Sequence, residues 1–229
     1  LLAGFIFSKR SAFVLAATAV LGGFTLMVAH LSFMDPEITN LVPVLQSYWL
    51  TLHVSVITGS YGFLGLGAII GVIVLVLYSL MSAKNKESII SSIEDLTVIN
   101  FKALTVGLYL LTIGTFLGAI WANESWGRYW GWDPKETWSL ITIIVYSFVT
   151  HSRMIKGLKG FYSFNVLALF GFSSVLMTYF GVNYYLSGLH SYAGGDPVPV
   201  PNFVYVSIVL LVSLSLFAYW KKKRKLGDH

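Results

Sequence analysis

Six stretches of this chain run almost without interruption through apolar residues, at about residues 11–32, 54–82, 101–121, 138–153, 163–184 and 203–220. Inside a bilayer no water reaches the backbone, so such a segment must satisfy its own N–H and C=O groups, which a helix does and an open sheet does not. Roughly 20 apolar residues cross the hydrocarbon core. The expected fold is therefore all-α: a polytopic membrane helix bundle of about six transmembrane helices, forming a single membrane domain over residues 1–229. Composition agrees, with 11% charged residues against about 25% in a soluble domain, and a water-soluble enzyme is excluded. The chain has no cysteine, which removes disulfides, thiolate metal sites and a cysteine nucleophile. Any metal ligation falls to its five histidines. No Walker motif, nucleophile elbow or histidine zinc motif occurs, so kinase and hydrolase chemistry have no support.

The chain begins Leu1-Leu2, and its first apolar run follows a basic pair without a small-residue cleavage site. No signal peptide is expected, and the chain reads as part of something longer. Charge then orients the bundle. Lys9, Arg10, Lys84, Lys86, Lys102, Arg153, Lys156, Lys159 and the run Lys221–Lys225 lie at one set of ends, and only Arg128 and Lys135 at the other, a split of 13 to 2. The positive-inside rule makes both termini cytoplasmic. The net charge of +5 needs no nucleic acid to explain it, because basic residues beside spans set topology and contact anionic membrane lipids. Between Ser88 and Asn100, Ile89, Ile93 and Leu96 recur at helical spacing around Glu94 and Asp95, which predicts an interfacial helix. The stretch from Gly194 to Pro201 predicts an irregular loop over 185–202.

Tryptophan is distributed unevenly. Six of seven lie at outer ends or loops, five of them between Trp121 and Trp138, whereas a symmetric interfacial belt would populate both faces. This external Trp-rich loop, at about 121–138, reads as an aromatic platform for a flat, largely apolar ligand. Gly127 and Gly131 would admit close ring approach, and Arg128 and Lys135 could meet ligand carboxylates. His53 and His190 fall at the same level. Two histidines flanking an aromatic platform fit axial ligation of a haem iron. His30 also lies at an outer end but lacks neighbouring motif residues and reads as structural. His151 lies roughly 20 Å inward of Trp138 at about 1.5 Å per residue and cannot share an iron with the other two. An ionisable group within a span is costly and tends to be functional.

Trp126-Gly127-Arg128-Tyr129-Trp130-Gly131-Trp132-Asp133 resembles the Trp-Gly-x-x-Trp-x-Trp-Asp signature, the WWD domain, of the haem-handling proteins of cytochrome c biogenesis. Within that family the context resembles CcsA (ResC), found alone or fused behind CcsB (ResB). The matching contexts are Ser47 to Val54 around His53, the Trp loop, a histidine in the next span, and Leu189-His190-Ser191-Tyr192. The resemblance covers about residues 40–220 and places the missing amino-terminal region of a full CcsA outside this chain. It implies that His53 and His190 are external axial ligands of haem b, and that Trp126, Trp130, Trp132 and Asp133 belong to the platform. It further implies that His151 is one of two transmembrane haem ligands, the other lying in CcsB. The implied activity is haem delivery to the outer face and its covalent attachment to the Cys-x-x-Cys-His segment of apocytochrome c, a System II holocytochrome c synthase acting with CcsB. Haem would be both bound ligand and substrate, in a bacterial inner membrane or a plastid thylakoid membrane. The nearest alternative is a haem transporter or chaperone without synthase activity. A respiratory b-type cytochrome fits less well, because its paired histidines would lie at matching depth inside the bundle.

Topology provides the first test. Reporter fusions placed in the 121–138 and 185–202 loops are expected to report an external location, and a cytoplasmic signal from either would overturn this orientation.

Overall fold

The computed structural model describes residues 12–30, 47–190 and 199–226, and all regular structure among them is helical. The chain runs through α1 (Ala12–His30), α2 (Tyr48–Leu80), α3 (Lys86–Trp126), α4 (Pro134–His151), α5 (Phe161–Leu176) and α6 (Asn202–Leu226). A π-helical turn, Met177–Gly181, and a final turn, Val182–Tyr185, prolong α5 into one span, Phe161–Tyr185. Each apolar run thus coincides with one helix. By length and hydropathy α2, α3, the prolonged α5 and α6 each suffice to cross a membrane. The protein is a polytopic helical membrane protein. At 18 residues α4 is shorter, with Lys135 and Glu136 in its first turn, and it packs between α3 and α5. The first basic pair, the Asp35-Pro36-Glu37 connection, residues 191–198 of the 185–202 loop and His229 lie outside the described residues.

α2 is apolar on every side, the pattern of a helix without a solvent face, and it packs against α1, α3, α5 and α6. α3 is a single helix of 41 residues, about 60 Å long at roughly 1.5 Å per residue and about twice the hydrocarbon thickness. The segment expected to form a separate interfacial helix is therefore the first part of α3. No proline or glycine falls between residues 88 and 100, and Ile89, Ile93 and Leu96 are buried in the same cluster as Tyr78 and Met81 of the preceding hairpin. Tertiary burial of that apolar stripe replaces the membrane surface as its partner.

Close contact among α2, α3 and α5 depends on small residues, as is usual where lipid supplies no hydrophobic drive. A Cβ on Gly71 would lie 2.8 Å from the Asn165 carbonyl oxygen, and one on Gly114 would lie 2.7 Å from Ile57 Cδ1. At this seam the Asn100 amide donates to Gly67 O (3.1 Å) and Asn165 Oδ1 (2.9 Å). Asn165 in turn donates to Thr97 Oγ1 at 2.7 Å and Phe161 O at 2.8 Å. Both asparagines are fully buried, and the network joins three helices in one register.

Replacing Gly71 with valine is expected to lower thermal stability by about 1–3 kcal/mol, because the obstacle is backbone and no rotamer relieves it. Asn165→Leu is expected to cost about 1–2 kcal/mol through the stranded Asn100 donor. Unfolding curves of the purified protein in lipid nanodiscs check both, and unchanged midpoints would mean a looser seam.

Candidate haem-ligand site

At the end of the bundle that carries the Trp-rich loop, α2 presents His53, Ile57 and Tyr61 at four-residue steps along one face of a cleft. Across from them α3 contributes Thr115, Gly118 and Ala119. Gly118 is required there, since a Cβ would come within 2.6 Å of His53 Cε1. His53 Nδ1 donates to the Gly114 carbonyl oxygen at 2.7 Å. A carbonyl only accepts, so Nδ1 carries the proton and the Nε2 lone pair is left toward other partners.

α3 ends at Gly127, whose φ of 71° forms the left-handed cap that turns the chain into the Trp loop. The loop ends at Asp133, the N-cap of α4, in a capping box with Pro134 in the first turn. Glu136 Oε2 accepts from the backbone of Gly131 (2.8 Å) and of Asp133 (3.1 Å). The Asp133 carboxylate, 6% exposed, reaches a third segment. Its Oδ1 accepts from Leu189 N at 2.6 Å, and Oδ2 accepts from Lys135 N at 3.2 Å and from His190 Nδ1 at 2.8 Å. Gly188 permits this approach, because a Cβ there would meet Asp133 Oδ1. Burial alone would push the Asp133 carboxyl up, but the bonds from His190, Lys135 and Leu189 outweigh it and hold it below the usual carboxylate range.

His190 is thereby fixed like His53, with Nδ1 engaged and Nε2 left over, and both rings line the same cleft. A carboxylate behind a histidine is the arrangement that orients metal-ligating imidazoles and raises their basicity. Trp121, 1% exposed, lies against both rings. Its ring is nearly parallel to that of His53 (7°, 6.5 Å between centroids) and 5.6 Å from that of His190. Trp126 meets the His190 ring edge-on at 4.9 Å. Tyr129 and Trp130 of the loop and Lys135, Glu136 and Ser139 of α4 complete the wall. The empty space, including its open mouth, is about 530 Å³.

The residues expected from the sequence thus separate. His53, His190 and Trp130 line the cleft, while Asp133 and Trp126 stand behind His190. Trp132 is 70% exposed, holds a φ of 58° and meets Trp130 edge-on at 5.8 Å, outside the cleft wall. A bulky residue in that backbone region is an outlier. Arg128 packs over Gly131, where any Cβ would strike its guanidinium, and does not line the cleft. His151 ends α4 and is exposed, with Nδ1 donating to Ser147 O at 2.7 Å. The side chain of His30 lies outside the described residues. Sequence reasoning passed over Trp121, Tyr61 and Asn183 as site residues. For Trp121 a signal was present: Gly114, Gly118 and Trp121 share one face of α3 by helical spacing.

The family model for cytochrome C assembly protein matches residues 1–190. The chain is 54% identical over 219 residues to protein NrfI of Wolinella succinogenes, covering 96% of this chain and 24% of that one. It is 40% identical over 171 residues to the cytochrome c biogenesis protein CcsA of Chlamydomonas reinhardtii, covering 73% and 48% respectively. Against CcsA of Prochlorococcus marinus it is 37% identical over 197 residues, covering 73% and 62%. The chain therefore spans between about a quarter and three fifths of the length of these relatives.

Asp133→Asn tests the carboxylate. Both of its oxygens accept, so an amide would turn an NH₂ toward at least one N–H donor, at a cost of about 1–3 kcal/mol. Backbone hydrogen exchange over 186–190 is expected to accelerate while α2 and α3 stay protected, and unchanged exchange would show that something else holds the segment. Because the folded-state carboxyl sits below its unfolded value, its contribution is present above about pH 4 and is lost as pH falls through the lower folded value. The protection of these amides relative to their intrinsic exchange should therefore fall in acid and stay constant between neutral pH and about pH 5.

Proposed function

The chain belongs to the cytochrome C assembly protein family, and from that premise we propose that it brings haem to the outer face of the membrane and holds it between His53 and His190 for covalent attachment to apocytochrome c. One observation carries this reading. Two histidines more than 130 residues apart line one aromatic cleft, each with Nδ1 committed to an acceptor and Nε2 left available. Two imidazoles are the axial complement of an iron that brings its own equatorial ligands.

Within this reading the whole chain acts as one membrane domain. The 13-to-2 distribution of basic residues puts both termini on the cytoplasmic side and the cleft outside, in a bacterial inner membrane or a plastid thylakoid membrane. His53 and Asp133-backed His190 supply the axial bonds, and Trp130 supplies apolar contact and stacking. Trp126 and Trp121 keep the His190 ring from rotating, and Trp132 and Arg128 shape the loop around the cleft. Haem supplies the vinyl groups across which the two thiols of a Cys-x-x-Cys-His segment add, each S–H placing sulfur on one carbon and hydrogen on its neighbour. The chain's contribution is positioning in an environment with little water. Release follows when the histidine of the apocytochrome displaces one of the two imidazoles. His151, about 20 Å from Trp138 along α4, serves an earlier position, completed by a histidine of a CcsB-type partner in a separate or fused chain. Its exposure supports such a shared site.

His53→Gly and His190→Gly are each expected to reduce holocytochrome formation at least as much as losing a supporting group does at a metal site, about 10- to 100-fold. The haem absorption spectrum should change in parallel, and added imidazole should restore part of both. Unaltered spectra and full activity in both variants would overturn the ligand assignment. His151→Gly is expected to lower haem loading of the external site with its ligands intact.

A further inference from the structure

Lys135 stands at the second position of α4, next to the positive end of the helix dipole, where a cation is disfavoured. Its side chain is half-buried, lines the cleft and donates from Nζ to Asn183 Oδ1 at 2.9 Å. Among the described residues no carboxylate lies within salt-bridge distance of it. The nearest acids are committed elsewhere: Asp133 to Lys135 N, Leu189 N and His190, and Glu136 Oε2 to the Gly131 and Asp133 backbone. Asn183 arrives at this place through the π-helical turn Met177–Gly181, a distortion that recurs at functional sites. An ammonium with one neutral hydrogen-bond partner, attracted by Asp133 only from beyond salt-bridge distance, held against the helix dipole and facing a cleft between two histidines, has no directly bonded anion among the described residues. Arg128, the other basic residue at this end, does not line the cleft.

We propose that Lys135, positioned by Asn183, binds a carboxylate of the flat ligand and so sets which edge of the porphyrin lies toward α4 and which edge is left toward the open mouth. This rests on the haem reading of the cleft. With the carboxylate edge anchored at Lys135, the opposite edge is the one an incoming peptide meets, and the cleft discriminates among porphyrins by their acid groups as well as by their metal. Tyr61 of α2 lines the same cleft and offers its hydroxyl to the second carboxylate oxygen, whereas the Ser139 hydroxyl donates to Lys135 O.

The test compares ferric haem with its dimethyl ester, which keeps iron and ring but carries no carboxylate, using the purified full chain in zwitterionic detergent and following the Soret band by titration. The wild-type protein is expected to bind haem about tenfold or more tighter than the ester, the size of one charge-assisted hydrogen bond. Lys135→Gln should remove that difference by weakening haem alone. Ester affinity and the bis-histidine spectrum should stay as they are, and they serve as the measure of an intact fold. Asn183→Ala should reduce the difference part-way. A wild-type protein that binds both porphyrins equally would overturn the proposal and leave the haem site standing, and this is the outcome expected if Lys135 instead takes a lipid phosphate. A Lys135→Gln variant that keeps the full preference, or loses both porphyrins alike, would also overturn it. A wild-type protein that binds neither porphyrin would overturn the haem reading itself, and this proposal with it.

Discussion

The Asp133 carboxylate is the interaction on which the site depends. Its oxygens accept from Leu189 N, Lys135 N and His190 Nδ1, so a single side chain starts α4, ends the Trp loop and docks the segment that follows α5. None of these three tasks requires a carboxylate by itself, since a serine caps a helix and water can satisfy a loop N–H. Performed together they require two acceptor oxygens at one buried point. The geometry that caps α4 also determines the ring orientation and tautomer of His190, and the fold of this loop cannot be separated from the chemistry it positions.

His53 is held by a different device at the same level. Its Nδ1 partner is the backbone of α3, and Gly118 leaves the space that the ring occupies. The ring's position therefore follows from how closely α2 approaches α3, which in turn follows from Gly67, Gly107 and Gly114 and from the Asn100–Asn165 network deeper in the bundle. A register change between α2 and α3 would move His53 relative to Trp121 and His190. The buried polar network resists such a change, since a slipped register leaves amides without partners in a low-dielectric interior.

His151 and the exposed Trp132 illustrate what surrounds the site. His151 lies at the far end of α4, with Nδ1 donating to Ser147 O. Trp132 keeps a strained backbone while most of its indole is exposed. The capping box at Asp133 and the Glu136 bond to Gly131 determine the path of the loop on both sides of it, so the strain is borne by contacts made for other reasons.

How much of this was legible beforehand depended on the range of the forces involved. Helix existence, the all-α class and the level of His53, His190 and the Trp loop follow from apolar run length and basic-residue bias, which are local properties of the chain in lipid. The motif from Trp126 to Asp133 was likewise readable, because its residues are contiguous. The continuity of α3 through residues 88–100 was not, since an amphipathic stripe buries equally well against a membrane surface or against Tyr78 and Met81. Nor was the division of labour among the loop residues: Trp121 against both histidines, Trp132 outside, Lys135 in the cleft and Arg128 away from it. The sequence by itself determined which segments form long apolar helices and which side chains reach the same end. Only the tertiary structure decided which of them face one another, because ring orientation and hydrogen-bond pairing depend on approaches of a few ångströms between segments more than a hundred residues apart.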